Sequence, residues 1–448
     1  MFHDPDFQPF EPRAEPSLRA YVRNYLENFP PEAYREGVAG FKRLNRPETL
    51  FLTDPDLIEE VLTTRAEFFP RDRITPQALS NVVDPQGLFL AKGAHWRWQR
   101  RAAAPAFRHE NLLALTPIFF DCAERQAQSW RRAGTARIDV AQAMMGVAFD
   151  VILRAVIGDA EAVDRDRFLA AETDAFSGFS WQFLLAALGL PKFVPHPGFL
   201  KMHLATRYLR RETARLIAAR GGADKGGDIL SLLIKARDPE TGRAMNDREL
   251  LANLFTFISA GHETAATALA WTLWLVAKDQ ATQERLRAEI REVAGDGPIG
   301  RDEIEGLVFT RRVLQESMRL FSPVGAISRQ PRDATILGGR PVEKGAQVVI
   351  AIWALHRNEK LWPDPLGFDP ERFAPDAAKA RHRYAYLPFG GGPRICIGMS
   401  FAMLEMTTVL ATLVRACVFK TVEGFKPDLQ PNISNRPRRG LPLIVSPA

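Results

Sequence analysis

Cysteine is scarce in this 448-residue chain: Cys122, Cys396 and Cys417 are the only three, and no two share a pairing-type spacing. That usage excludes a disulfide scaffold and predicts a reducing, cytoplasmic location. The opening Met1-Phe2-His3-Asp4-Pro5-Asp6 has neither a basic stretch nor an apolar run, so no signal peptide is expected. Charge of one sign is also not abundant. The 59 Lys and Arg against 53 Asp and Glu leave a formal charge of +6, which suits an acidic protein partner or an anionic surface. Without a finger-type or aromatic RNA-binding motif, nucleic acid is not expected as a partner. Hydrophobic residues at 46% and charged residues at 25% are ordinary for a globular chain with a generous core.

What is present is concentrated near the C-terminal end. Phe389-Gly390-Gly391-Gly392-Pro393-Arg394-Ile395-Cys396-Ile397-Gly398 places one cysteine after a glycine-rich loop and before an apolar-periodic helix expected over 397–414. A sulfur at a helix N-terminus favours its thiolate, the form that binds metal. The glycines clear side chains from a place where backbone would lie against a flat, bulky ligand. Arg394 can pair with an acidic group on such a ligand. A lone cysteine in a turn is otherwise an ordinary buried thiol. The string matches Phe-x-x-Gly-x-Arg-x-Cys-x-Gly and resembles the haem-binding loop of the cytochrome P450 family.

That resemblance implies a mainly α fold with small β-sheets (α+β), haem b lying between a long central helix and the Cys-loop helix. It implies Cys396 as the metal ligand, with Phe389, Arg394 and Gly398 in the cofactor loop. Further up the chain, Trp96 and Arg100 stand four apart on one face of a helix, where the family's Trp-x-x-x-Arg pair holds a haem propionate. Arg329 lies where the family places a further propionate-binding arginine, while Arg97, Arg101 and Arg108 are left as candidates for a basic docking face.

Asn246-Asp247-Arg248-Glu249 reads as a capping box, after which 250–277 is apolar nearly all round. The length would suit a membrane span, but Gly261-His262-Glu263-Thr264 sits at its middle, where ionisable groups in a bilayer are costly. A helix through the protein core is expected instead, with no membrane span. Ala260-Gly261-His262-Glu263-Thr264 matches the family's Ala/Gly-Gly-x-Asp/Glu-Thr motif. Gly261 would let the cofactor side approach the backbone. Cleaving dioxygen reductively needs protons delivered in a dry pocket, with Thr264 to hold and orient the oxygen and Glu263 to relay protons. The alternatives are a Thr264 hydroxyl bonded back to the i−4 carbonyl and a Glu263 paired structurally.

Glu316 and Arg319 spell Glu-x-x-Arg, but so do Glu32/Arg35, Glu212/Arg215 and Glu284/Arg287, and on spacing alone each is a surface pair. Position separates the first. It precedes a strand-rich stretch and then Pro370-Glu371-Arg372-Phe373, which resembles the family segment whose arginine closes a network with the other two residues. The task implied is to hold the Cys396 loop.

Helices are expected over 112–132, 140–157, 165–176, 181–188, 200–220 and 311–321, and a short one over 57–64 capped by Asp54. A helical piece is expected near 16–27, mainly loop over 74–90, and a flexible connector at 221–227. Strands are expected at 49–53, 335–339, 345–350 and within 420–445. The whole of 1–448 reads as one catalytic domain, helix-rich over about 85–325 and 395–418 and β-rich over about 30–75, 325–395 and 420–448. Candidate pocket residues are Val82, Phe176, Phe179 and Phe183, then Phe257 and Ala260 on the central helix, and Val324, Ala326, Ile327 and Ile433. The aromatic ones fit plain core equally well.

The implied reaction is insertion of one oxygen atom into a small hydrophobic organic substrate, by hydroxylation or epoxidation. No flavin- or nicotinamide-binding region is left over, so electrons come from an external ferredoxin or flavodoxin/reductase, and the protein is expected to be a soluble monomer. The rivals are a peroxide-driven or dehydratase-type haem-thiolate enzyme, which would not need Glu263 and Thr264, and a non-catalytic haem ligand-binding protein.

Overall fold

The computed structural model describes residues 2–4, 8–15, 17–42, 47–158, 163–220, 227–431 and 433–448. The expected connector at 221–227 lies outside them except for Gly227, as does Pro16 at the head of the first expected helix. The chain divides into two compact units: Met1–Thr75, Arg312–Cys396 and Gly424–Arg439 form one, and Pro76–Arg311, Ile397–Glu423 and Gly440–Ala448 the other.

The first unit is built on a four-stranded sheet in the order Val38–Phe41, Thr49–Leu52, Gln347–Ile350, Ile327–Arg329. The middle pairing is parallel, with Leu50 opposite Val348, and the outer two are antiparallel. Leu50, Leu52, Val348 and Ile350 are buried in a core shared with Leu62 and Leu387. Asp54 caps the helix Pro55–Glu59 by accepting from the N–H groups of Asp56 and Leu57, as expected. Two hairpins complete this unit's β structure with a two-residue pairing: Thr335–Leu337 with Arg340–Val342, Leu429–Pro431 with Asn435–Pro437, and Phe2–His3 with Gly367–Phe368.

The second unit is helical. The central helix Asp247–Lys278 opens with the expected capping box: Asn246 Oδ1 accepts from Glu249 N–H and Glu249 Oε2 from Asn246 N–H. Its apolar girth is buried on almost every side, Trp271 and Trp274 included. Gly261 lets it close on the helix Val140–Ile157, since a Cβ there would stand 2.9 Å from Ile152 Cδ1. The Met399–Ala416 helix packs on Thr116–Ala133, with Phe401 edge-on to Phe119 at 5.1 Å. Val140–Ile157 and Met399–Ala416 are the two helices among the described residues long and apolar enough to cross a membrane. Both are mostly buried inside the protein, as core helices are.

Several boundaries depart from expectation. The stretch 74–90 is not all loop: Ile74–Leu79 is helical, because Pro76 falls in the first turn, where its missing N–H has no partner to lose. The helix expected over 112–132 is Thr116–Ala133, preceded by a short His109–Leu113 turn of helix. Those expected at 181–188 and 311–321 are Phe179–Ala187 and Val308–Leu320. The C-terminal β segment is shared between units. Cys417–Thr421 and Pro442–Pro447 join Ala136–Asp139 in an antiparallel sheet of the helical unit.

Candidate active site

In the first unit the Cys396 loop is a sequence of tight turns. Gly390 N–H donates to Leu387 O, Ile395 N–H to Gly392 O, and Cys396 N–H to Phe389 O, each at 3.0 Å. Gly390 and Gly392 hold left-handed φ values of 71° and 68°. The glycines do not all serve one purpose. A Cβ on Gly392 would stand 2.0 Å from Leu62 O, and one on Gly391 3.0 Å from Tyr384 Cε1, whereas Gly390 would meet nothing nearer than Ile327 Cδ1 at 3.8 Å. The expectation that all three face a ligand is therefore corrected: two make room for the protein itself. The sulfur of Cys396 is in no disulfide and its residue is exposed, with Phe389 and Arg394 half-buried beside it in sequence. The helix after it starts at Met399 with Gly398 as N-cap, not at Ile397, so Cys396 precedes the cap by two residues and lies outside the first turn.

Behind this loop the structure brings Glu316, Arg319 and Arg372 together. Arg319 Nε and Nη2 each donate to a Glu316 oxygen at 2.7 Å. Its other N–H groups reach the carbonyls of His356, Pro365 and Gly367 at 2.7–2.9 Å. All five donors of the guanidinium thus have acceptors, at zero exposure for both side chains. Arg372 Nε stands 3.4 Å from Glu316 Oε1. Two further residues, which spacing did not reveal, pass this frame to the loop. His356 Nε2 accepts from Leu387 N–H at 2.8 Å, and its ring stacks on Tyr386. Burial, with Arg319 and Arg357 nearby, holds His356 well below the usual imidazole range, so it stays neutral and able to accept.

Arg329 is half-buried in its strand, opposite Arg71 in an isolated antiparallel bridge. Desolvation and then the Arg71 charge push its guanidinium down to about 10. The adjacent carboxylate, Asp72, already accepts from Thr75 N–H at 2.7 Å and Ser328 Oγ at 2.5 Å. Two cations sharing one occupied carboxylate fit an anionic ligand, as a haem propionate is. Val324, Ala326 and Ile327 are half-buried on the approach to this strand. Asn435 ties that approach to the hairpin carrying the half-buried Ile433, donating to Ser322 O and Pro323 O at 2.8 Å.

In the second unit Trp96 and Arg100 are both half-buried on the helix Gly93–Ala103. Gln99 and Asn253, both fully buried, lock that helix to the central one. Asn253 Nδ2 donates to Gln99 Oε1 at 2.8 Å, and Asn253 Oδ1 accepts from Leu88 N–H at 2.7 Å. Arg101 is withdrawn from the candidate docking face, since it grips Asp238 with Nε and Nη2 at 2.8 and 3.0 Å. That grip holds the Asp238 carboxyl well below the usual carboxylate range. Arg97 and Arg108 remain exposed.

Thr264 is half-buried and its hydroxyl donates to Ala260 O at 2.8 Å, the back-bonded arrangement. Glu263 is buried and Ala260 exposed. Gly261 spends its open side on Ile152. Of the candidate pocket residues, Val82, Phe176 and Phe257 are buried, Phe257 edge-on to Phe107 at 5.3 Å. Phe179 and Phe183 are half-buried and edge-on to one another at 5.9 Å.

A family model described as Cytochrome P450 matches residues 41–442. Cytochrome P450 709B1 of Arabidopsis thaliana is 28% identical over 99% of this chain and 86% of its own length. Cyclooctat-9-en-7-ol 5-monooxygenase of Streptomyces melanosporofaciens is 32% identical over 85% of this chain and 82% of its own length. Cytochrome P450 4F3 of Mus musculus is 32% identical, covering 88% and 79%. A crystal structure of the cytochrome P450DA heme domain superposes with a TM-score of 0.81 at 24% identity, over 92% of this chain and 90% of that one. The chain belongs to the cytochrome P450 family of haem-thiolate monooxygenases.

Proposed function

We propose that the chain binds haem b through the Cys396 thiolate and oxygenates a small hydrophobic substrate by hydroxylation or epoxidation. The observation that carries this reading is the frame beneath Cys396. Cys396, an exposed residue whose backbone N–H donates to Phe389 O, sits on a loop anchored through His356 to a fully buried Glu316–Arg319 pair. Such a frame suits a ligand that must not reorient. When bound, the haem supplies reductive activation of dioxygen, one atom entering the substrate and the other leaving as water.

The residues divide the remaining work. Trp96, Arg100, Arg329 and Arg394 hold the propionates, Arg329 gaining most because an anion relieves its repulsion with Arg71. Glu263 relays protons from its buried position on the central helix. The Thr264 hydroxyl, parked on Ala260 O, turns its proton outward to hold the reacting oxygen. Val82, Phe176, Phe179, Phe183 and Phe257, with Val324, Ala326, Ile327 and Ile433, supply apolar walls. An apolar substrate is in keeping with the Streptomyces relative, whose name gives the alcohol cyclooctat-9-en-7-ol. Electrons come from a ferredoxin or flavodoxin/reductase, the working form is a cytoplasmic monomer, and a ligand screen read by the haem's optical spectrum identifies the substrate.

Cys396→Ala abolishes product and the thiolate-type carbonyl spectrum of the reduced protein. Retention of that spectrum, or iron held by a histidine, overturns the reading. Thr264→Ala keeps haem and electron consumption but cuts product per electron about tenfold, with peroxide in its place. An unchanged product yield removes the role given to Thr264.

A further inference from the structure

The motif residue between Gly261 and Glu263 has partners that the oxygenase reading leaves unused. His262 is buried at 2% exposure, and its two ring nitrogens face two acceptors. Nδ1 meets Ile258 O at 2.8 Å and Nε2 meets Glu172 Oε2 at 2.7 Å. A neutral imidazole carries one N–H, so beside an ionised Glu172 carboxylate both contacts require the imidazolium. Glu172, on the helix Arg165–Phe176 and itself buried, uses its other oxygen to accept from Ser259 Oγ at 2.7 Å. One carboxylate thus clasps the central helix at two points three residues apart, just before Glu263 and Thr264.

Every other element packed here is apolar or neutral toward the pair. The helix Val140–Ile157 presents the Phe149 ring edge-on to His262 at 5.6 Å and Ile152 against Gly261. The helix Met399–Ala416 presents Glu405, whose Oε1 makes no hydrogen bond among the described residues. Burial holds the Glu405 carboxyl well above its usual range, so it is protonated and does not compete for the imidazolium. Glu263, on His262's own helix, is the remaining acid that acts on the ring electrostatically.

We propose that His262, clasped by Glu172 and Ser259, is a positioning residue: the clasp fixes the rotation of the turn that presents Glu263 and Thr264. The inference rests on the roles proposed above for those two residues, but the clasp itself can be tested without them. A helix turn bearing a glycine and a hydroxyl bonded back to the i−4 carbonyl is prone to open or bend. A charged strut from a neighbouring helix opposes that opening at the turn that carries the motif's acid and alcohol.

The test is amide hydrogen exchange by mass spectrometry on the ferric holoenzyme, read for the peptide 258–265. Glu172→Gln and His262→Phe are expected to speed exchange there about tenfold, leaving peptides of the 399–416 helix unchanged. The double variant Glu172→Gln/His262→Gln, which restores a neutral hydrogen-bonded pair, recovers protection to within about twofold. In wild type, exchange corrected for its intrinsic pH dependence rises as pH passes about 9, where His262 loses its proton, and His262→Phe shows no such rise. With a surrogate ferredoxin and reductase, peroxide released per electron pair increases in the same variants.

Should His262→Phe fail to fold, Ser259→Ala removes a single contact and is expected to move the same peptide by about twofold. Wild-type protection of 258–265 in Glu172→Gln and Ser259→Ala, with no pH step, overturns the clasp whatever the haem chemistry proves to be. Failure of the Cys396 experiment instead overturns the oxygenase reading and leaves the exchange result intact.

Discussion

Among the described residues, each unit holds a buried cation whose every N–H has an acceptor, and the two differ in what the cation is. In the first unit Arg319 directs five N–H groups at Glu316 and three carbonyls. In the second His262 directs two at Glu172 and Ile258 O. A guanidinium keeps its charge at any pH a protein survives, whereas an imidazolium does not. The first pair is therefore permanent scaffolding behind the Cys396 loop, and the second is scaffolding with a titration point.

The largest effect is expected from breaking the permanent pair. Arg319→Leu takes both short guanidinium contacts from the Glu316 carboxylate at zero exposure, leaving it Arg372 at 3.4 Å, and orphans the carbonyls of His356, Pro365 and Gly367. Removing one partner of such a pair costs about 3–5 kcal/mol, since the remaining charge cannot reach water. Chemical denaturation should show that loss, together with a fall in haem bound per chain because the loop loses its backing. A variant with wild-type stability would separate the network from the loop.

The titratable pair gives the intermediate effect. Burial alone would lower His262, but the charge of Glu172 and its hydrogen bond outweigh this and raise it to about 9. The folded value exceeds the unfolded one of about 6.5, so the stabilisation is complete below about pH 6.5 and is lost as pH rises through about 9. Its full size is about 3 kcal/mol, from 1.36 kcal/mol for each unit of pKa. Unfolding free energies of wild type and His262→Phe, measured between pH 6 and about 9.5, should converge at the alkaline end. A constant gap would mean that His262 keeps its proton throughout.

The contrast also marks what was legible in the sequence. Glu316, Arg319 and Arg372 were found because this Glu-x-x-Arg, alone among several, precedes a strand-rich stretch and Pro-Glu-Arg-Phe in the order that the family resemblance implies. His356, Tyr386, Gln99 and Asn253 were missed, because each is a single polar residue whose partner lies far away in sequence. Glu172 sits in Glu172-Thr173-Asp174, which reads as an ordinary solvated face until its helix is placed against His262. Long helices with caps were read closely, Val140–Ile157 to the residue, because Asp139 accepts from Ala141 and Gln142 N–H groups at its start. Gly261, Gly391 and Gly392 were recognised as necessary, but the neighbours that require them, Ile152, Tyr384 and Leu62, are visible only in three dimensions.

The smallest effect tests whether the spelling Glu-x-x-Arg carries any energy of its own. Glu212 and Arg215 have the same spacing as Glu316 and Arg319, and their geometry is also good: Arg215 Nε lies 3.1 Å from both Glu212 oxygens. The difference is solvent, since the Arg215 side chain is 49% exposed where Arg319 has none. Water screens the attraction, and holding two long side chains in one geometry costs rotamer entropy. Arg215→Ala should therefore change the unfolding free energy by no more than about 0.5 kcal/mol. That is several-fold below the value expected for Arg319→Leu, despite the shared four-residue pattern. A loss at Arg215 approaching that of Arg319 would mean that local helical pairing, and not burial with its carbonyl acceptors, gives the Glu316 network its strength.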